Sequence, residues 1–356
     1  MAPHLTIKQI ASLAGVSVGT VDRVLHNRGR VSSEAMAAVQ AVLDTQSYKY
    51  NIHTSAVAFK KTKKSFRIVI AIPSSRKGEY WDLIRDGLEK AFHEFSDISI
   101  QSQYVFFDQY SSISCREAFR SIESIPCSAV ILGANFVGET IDFCHNLDSR
   151  HIPYVFVDGK VKGIRPTANF MVDQDKCGRL LAHLLDGLTP PESEKAIFLP
   201  RRVGTEMSNN SGIRLASFKA YFEERGRGRL LKELRFSAEN PGEIQSEVSE
   251  FLEENPGVKG IAVVTSVVYQ VSDALVASGI RGICVGGFDA TEGNARCVRE
   301  GTLEFLIDQH PQRQGFCAVE SLLHFLLYGA PDPSLPEYLP IDIVFRENLP
   351  DRLGPK

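Results

Sequence analysis

The sequence predicts an α/β protein: two lobes of parallel, doubly wound sheet, preceded by an all-α helix-turn-helix headpiece. Three observations carry this. From Arg67 onward, short apolar runs alternate with helical patterns over about 280 residues, the signature of βα units with buried parallel strands. Before that point the apolar residues instead recur at helical spacing. Charge divides at the same place. Residues 1–64 hold nine Lys/Arg against three acids, a net +6; the whole chain is −3, which leaves −9 for the rest. A basic head on an acidic body predicts that the head meets a polyanion and the body has another task.

The headpiece opens with "TIKQIASLAG". Its Ile7, Ile10, Ala11 and Ala14 fall at i, i+3, i+4 and i+7, one face of a helix, with Thr6 as N-cap. Gly15 fits the position just past a helix end. Next comes Gly15-Val16-Ser17-Val18-Gly19, a literal G-x-S-x-G. That string is a nucleophile elbow only between a strand and a helix. Here a helix precedes it, so Ser17 is read as the N-cap of a second helix, "VGTVDRVLHN", with Val21, Val24 and Leu25 on one face. Ser32 or Ser33 caps a third helix running through Ala41, Val42 or beyond. Two short helices about a tight glycine turn, plus a third, make a helix-turn-helix.

The stretch "LTIKQIASLAGVSVGTVDRVLHNRGRVS" resembles the headpiece of the lactose-repressor-like transcription factors, the LacI/GalR family. Asp22 departs from the family's usual serine, and "YKYN" at 48–51 lacks the usual proline. The resemblance implies that the second helix enters the major groove of operator DNA. Ser17 and Thr20 would then bond phosphates beside the helix N-terminus. Val18 and Gly19 stand where the family reads bases: valine reaches a thymine methyl, glycine has no side chain to read with. Arg23 is assigned bidentate contact with a guanine, a phosphate contact or surface ion pair being the alternative. Thr6 and Asn51 complete the DNA-contacting set in the headpiece. Residues 51–64, "NIHTSAVAFKKTKK", match the family's hinge, a helix that forms in the minor groove. Val57 stands at the position of the wedging leucine, and Lys60, with its neighbouring lysines, reads as phosphate contact or as solvated linker.

In the body, "RIVIAI", "AVILGA", "YVFVDG", "AIFLP", "GIAVVTS" and "ICVGGFD" are the predicted strands. Helical patterns such as "YWDLIRDGLEKAFHEF", "KCGRLLAHLLDGL" and "GIRLASFKAYFEE" separate them. The resemblance extends here to a periplasmic-binding-protein-like core, and implies a division into headpiece 1–50, hinge and linker 51–65, first lobe 66–171 plus 311–329, and second lobe 172–310 plus 330–350. Three segments near 171–173, 308–310 and 329–332 would cross between lobes. Ligands of such sheets sit at the carboxyl ends of the strands. Carried over position by position, Tyr80 and Trp81 match aromatics that stack on a sugar. Asp158 and Asp289 match acceptors of sugar hydroxyls, Arg214 the cleft arginine, and Gln309 a polar ligand beside the crossings. Ser266 stands where an asparagine is common; Ser217 and Val267 also depart from the pattern. Taken singly, Asp158, Asp289 and Arg214 read equally as helix caps or structural ion pairs; together at strand ends they favour a pocket.

Arg76, Lys77, Lys160, Lys162, Arg201 and Arg202 also follow predicted strands. Their clustering on an acidic body points to an anionic effector, a sugar acid or sugar phosphate, with solvated loop charge as the alternative.

Other classes find little support. Seven scattered cysteines without C-x-x-C suit reduced, buried thiols, and the nine histidines form no H-x-x-x-H, so no metal is expected. A P-loop is absent, and no cofactor or catalytic residue is assigned. No apolar run has transmembrane length, and the N-terminus does not read as a secretory signal, so no membrane partner and a cytoplasmic location are expected. The segment "RENLPDRLGPK" carries no leucine heptads, so a homodimer is expected over a bundled tetramer. The leading function is a DNA-binding transcriptional regulator controlled by a small sugar-like effector. A solute-binding protein is the alternative, which the body alone would satisfy.

Overall fold

The computed structural model describes residues 7–25, 31–45, 65–203, 208–238, 240–330, 332 and 335–349. Thr6 and the hinge at 51–64, with Asn51, Val57 and Lys60, lie outside them. The headpiece comprises α1 (Ile7–Leu13), α2 (Val18–Leu25) and α3 (Ser33–Thr45). Ile10 and Ala11 of α1, Val21 of α2 and Val39 of α3 form its core, with Ala14, Val16, Val24 and Val42 packed around. This is the apolar face expected from the i, i+3, i+4 spacing.

The first lobe is a parallel sheet of β1 (Phe66–Pro73), β2 (Ile100–Phe107), β3 (Ala129–Gly133), β4 (Tyr154–Val157) and β5 (Ala168–Phe170), ordered β2-β1-β3-β4-β5. Strand alternation splits β1 between two cores. Ile68, Ile70 and Ile72 pack beneath α4 (Tyr80–Glu94), while Val69 and Ala71 meet α5 (Ser112–Glu123) and α6 (Val137–Ser149).

The second lobe repeats the plan. It contains α7 (Gln174–Leu188), β6 (Glu194–Pro200), α8 (Asn209–Glu223), β7 (Leu231–Phe236), α9 (Pro241–Glu254) and β8 (Val258–Val263). These are followed by α10 (Val268–Ala277), β9 (Cys284–Phe288), α11 (Glu292–Glu300), β10 (Phe305–Asp308) and, later, β11 (Asp342–Val344). Its sheet order is β11-β10-β9-β8-β6-β7, with β11 antiparallel to β10.

After β10 the chain returns to the first lobe as α12 (Pro311–Tyr328), whose Cys317, Ala318, Val319, Leu322 and Leu323 join the core under α4. The two helices touch through glycines: a Cβ on Gly87 would collide with the Gln312 carbonyl, and one on Gly315 with that of Ile84. The chain runs from β5 to α7 through 171–173 and from β10 to α12 through 309–310. The third crossing does not lie where expected. Gly329 caps α12 in a left-handed conformation (φ 78°), and Leu335 still packs on the first lobe. The returning segment pairs with Met171 at Tyr338, where Leu339 N–H donates to the Met171 carbonyl at 2.8 Å. The expected position at 329–332 is therefore corrected to 337–339: the chain first finishes covering the first lobe.

Candidate functional site

In the headpiece Gly15 is left-handed (φ 66°), which lets Val16 N–H reach the Ala11 carbonyl at 3.0 Å and ends α1. Ser17 Oγ then accepts from Thr20 N–H at 3.0 Å and lies 2.8 Å from Thr20 Oγ1. Ser17 is thus a helix cap placed helix-turn-helix, and the nucleophile-elbow reading fails on its context. Ser32 Oγ caps α3 through Ala35 N–H at 3.3 Å. Val21 is buried, Val24 packs beside it, and the DNA-facing candidates lie elsewhere on α2. Ser17, Gly19 and Arg23 are exposed, Val18 is 46% exposed, and Thr20 is half-buried. The residues expected at DNA thus share the outer side of α2, where Arg23 has no ion-pair partner among the described residues.

In the body, loops at the carboxyl ends of the two sheets meet. Val203, after β6, bridges to Ser111, after β2, and Val203 N–H donates to the Tyr110 carbonyl at 2.7 Å. Between the lobes lies one polar network. Asp158 and Asp289 follow β4 and β9 at equivalent places, and both adopt the left-handed region, φ 63° and 62°. Neither caps a helix: α11 is capped by Thr291, whose side chain accepts from Asn294 N–H. Tyr80 Oη donates to Asp158 Oδ1 at 2.6 Å. Gln314 receives Asp158 N–H at 2.9 Å and donates to the Gln309 carbonyl at 3.0 Å. Gln309 donates through its side chain to Asp289 Oδ2 at 2.8 Å and through its backbone to Oδ1 at 3.2 Å. Arg214 holds the centre. Its Nε donates to Gln174 Oε1 at 2.7 Å, one terminal nitrogen to the Val264 carbonyl at 2.7 Å, and the other to Gln309 Oε1. The guanidinium lies 3.9 Å from the Phe288 ring centre.

Burial sets the electrostatics. Asp289 is 1% exposed, and its carboxyl is raised well above the ordinary carboxylate range by burial and then by the neighbouring Asp308 charge. Asp158 is pushed up to about 6, also by burial, against the opposing pull of Arg214, Tyr80 and Asn210. Two desolvated carboxyls beside one guanidinium are poised to accept hydroxyl donors.

The sign of the pH response follows. A raised folded-state pKa means that the ligand-free cleft keeps Asp158's contribution to stability below about pH 4, and loses it as pH rises through about 6. A ligand donating to the carboxylate favours ionised Asp158, so the part of the affinity that rests on Asp158 should rise with pH through about 6. Such a ligand should bind about ten-fold more weakly at pH 5 than at pH 7. Isothermal titration at both pH values checks this, with Asp158→Asn as the control that flattens the profile. Equal affinity at both for the wild type would remove Asp158 from ligand contact.

Tyr80, Asp158, Arg214, Asp289 and Gln309 are brought together; two expected residues are not. Trp81 is 4% exposed and packs in the first-lobe core, its ring against Gly133, so it offers no free stacking face. Ser266 contributes its backbone carbonyl to Asn294 Nδ2 at 2.8 Å and stays outside the network. Gln174, Gln314 and Asn210 belong to the site and escaped sequence reasoning. The first two sit inside "VDQDKCGR" and "DQHPQRQG", but spacing does not say which amide reaches the cleft. Asn210 Nδ2 donates to the Asp158 carbonyl, and its Oδ1 is buried with no partner.

The six basic residues do not form one cluster. Lys160 pairs with Glu337 at 2.6 Å, and Arg201 with Glu247. Lys77 and Lys162 are exposed. Arg202 donates to the Gln109 carbonyl and lies over the Tyr110 and Phe136 rings at 5.4 and 5.6 Å. Arg76 lines a cavity between the lobes. No group of His, Cys, Asp and Glu among those residues could hold a metal, and no helix among them is long and apolar enough to cross a membrane.

Comparison with known proteins matches both parts of the chain. Residues 6–51 fit the model of bacterial regulatory proteins of the lacI family, and residues 68–329 that of the periplasmic binding protein domain. The HTH-type transcriptional regulator DegA of Bacillus subtilis is 34% identical over 86 residues, 24% of this chain and 25% of that protein. The HTH-type transcriptional regulator GalR of Escherichia coli is 26% identical over 132 residues, 37% of this chain and 36% of its own length. The chain thus matches about a quarter to a third of these curated relatives. A Bacteroides fragilis structure described as a candidate LacI transcriptional regulator superposes with TM-score 0.75 at 26% identity, covering 80% of this chain and 98% of that one. GanP, a glucose-galactose binding protein from Geobacillus stearothermophilus, shares the fold, with TM-score 0.67 at 16% identity over 81% of this chain and all of that one.

Proposed function

Because the chain belongs to the lacI family of bacterial regulatory proteins and carries a periplasmic binding protein domain behind its headpiece, we propose that it is a cytoplasmic transcriptional repressor of carbohydrate-related genes. In this reading it binds a pseudo-palindromic operator as a homodimer, since one headpiece reads few base pairs and two-fold symmetry doubles the site. A small sugar-like effector occupies the cleft at Tyr80, Asp158, Arg214, Asp289 and Gln309. Residues 51–65 link the two functions as hinge. The observation that carries the reading is the joining, in one chain, of an outward-facing second helix and an interlobe network of buried hydroxyl acceptors. A solute-binding protein would need only the body. An enzyme would need a nucleophile or an acid–base pair free to act, whereas Asp158 and Asp289 already accept from Tyr80 and Gln309.

The test is operator selection from a randomised duplex library. Arg23→Ala should relax preference at one base position, at a cost of about 1–3 kcal/mol there. Lys60→Ala should weaken all sequences alike and flatten the salt dependence, as loss of a phosphate contact does. Uniform loss in both variants would withdraw base reading from Arg23. A wild-type protein that selects no sequence would sink the regulatory function.

A further inference from the structure

The outer part of the cleft, over the carboxyl ends of β1, β2, β7 and β8, holds a cavity of about 470 Å³. That lies within the range of about 300–1,000 Å³ typical of small-ligand pockets. Both lobes line it: Arg76, Glu79, Asp108 and Tyr110 from the first, Val267 and Gln270 from the second. We propose that this cavity is a distal subsite for a second saccharide unit, so that the effector is a neutral disaccharide or longer glycan whose inner unit occupies the Asp289 network. The inference rests on the sugar-sensor reading above and specifies its ligand.

Cavity and network are neighbours along the chain on both lobes. Glu79 lines the cavity and the next residue, Tyr80, bonds Asp158; Val267 lines it three residues beyond Val264, whose carbonyl takes Arg214.

The chemistry of the lining suits a sugar. Each hydroxyl both donates and accepts, so a saccharide subsite needs groups of both kinds. The Arg76 guanidinium supplies donors and has no side-chain partner among the described residues. Asp108 and Glu79 supply acceptors. Gln270 supplies another, because its side-chain oxygen is buried with no hydrogen-bond partner, a cost that a ligand hydroxyl would relieve. Tyr110 adds an aromatic surface, held by Arg202 stacked over its ring.

Charge decides against the anionic effector that the sequence pointed to. Two cations, Arg76 in the lining and Arg202 behind Tyr110, are matched by two carboxylates, Glu79 and Asp108. An added carboxylate or phosphate would meet repulsion at least matching its attraction. The second sugar would also tie the lobes together, contacting Arg76 on one side and Gln270 on the other. The Tyr269 hydroxyl already makes such a cross-lobe contact with Glu79 at 3.2 Å.

Isothermal titration of the full chain tests this. The probes are maltose, cellobiose, lactose, melibiose and sucrose, their component monosaccharides, glucuronic acid and glucose 6-phosphate. The expected result is one disaccharide binding at least about ten-fold tighter than either of its halves. The double variant Arg76→Ala, Gln270→Ala should bring that disaccharide down to the affinity of its inner monosaccharide. Three results would overturn the subsite: a monosaccharide bound as tightly as every disaccharide, tightest binding of an acidic sugar, or a disaccharide advantage that survives the double variant. If no sugar in the panel binds the wild type, the sugar-sensor reading falls first and the subsite with it.

Discussion

Asp289→Asn should shift the sugar response to ten- to hundred-fold higher concentrations while leaving the protein folded and able to bind operator without sugar. The carboxylate accepts from Gln309 twice and is almost completely buried. An amide of the same shape loses one of those bonds but also removes a charge next to Asp308. These effects oppose each other, so stability should change by less than about 1 kcal/mol. Ligand is different. A sugar hydroxyl bonded to a buried carboxylate is a charge-assisted contact worth about 1.5–3 kcal/mol, so affinity should drop by one to two orders of magnitude. Asparagine is the right substitution because position 289 has φ 62°, a region asparagine tolerates and alanine occupies at a cost of about 1–2 kcal/mol. Operator affinity with and without sugar, beside the melting temperature, reads the result. A variant that is fully folded and still responds to sugar at the wild-type concentration would falsify the assignment of Asp289.

Arg214→Ala should have the larger effect on the fold itself. This guanidinium is 4% exposed, donates to acceptors from three segments, and is the cation among Asp158, Asp289 and Tyr80. Its removal strips the side chains of Gln174 and Gln309 of a donor and leaves two buried carboxyls without their counter-charge. Breaking a buried charged network from one side typically costs about 3–5 kcal/mol. Arg214→Lys should recover only part of this, because one ammonium cannot match the planar fork that reaches Gln174, Val264 and Gln309 together. Urea denaturation of the three proteins measures the order. A loss below about 1 kcal/mol in Arg214→Ala would show that the network is not a structural hub.

The sequence determined the fold class, the headpiece and the middle of each sheet. The six strands legible as apolar runs are β1, β3, β4, β6, β8 and β9, and every one is interior in its sheet. Interior parallel strands are buried on both faces, so their composition announces them. The edge strands β2, β5, β7 and β11 did not stand out. β2 reads IQSQYVFF and β7 reads LKELRF, because residues along each meet solvent. β10 is interior, but only three of its residues, Phe305, Leu306 and Ile307, are apolar, and Glu304 and Asp308 bound them. The helix period, Gly15 and Ser17 likewise sufficed for the headpiece, since caps and amphipathic faces are local.

The cleft was legible in part. Asp158, Arg214, Asp289 and Gln309 were named from motifs, but their partners were left to tertiary structure. Arg214 reaches Gln174 forty positions away, and Asp158 meets Gln314 at a separation of 156. Such pairings depend on two sheets closing over one another, and no local period encodes them. The same closure sends Trp81 into the core beside Gly133 while its neighbour Tyr80 enters the network, and it pairs Lys160 with Glu337 across the returning segment. Hydrophobic burial is written residue by residue along the chain; which polar groups satisfy each other is decided only when the lobes meet.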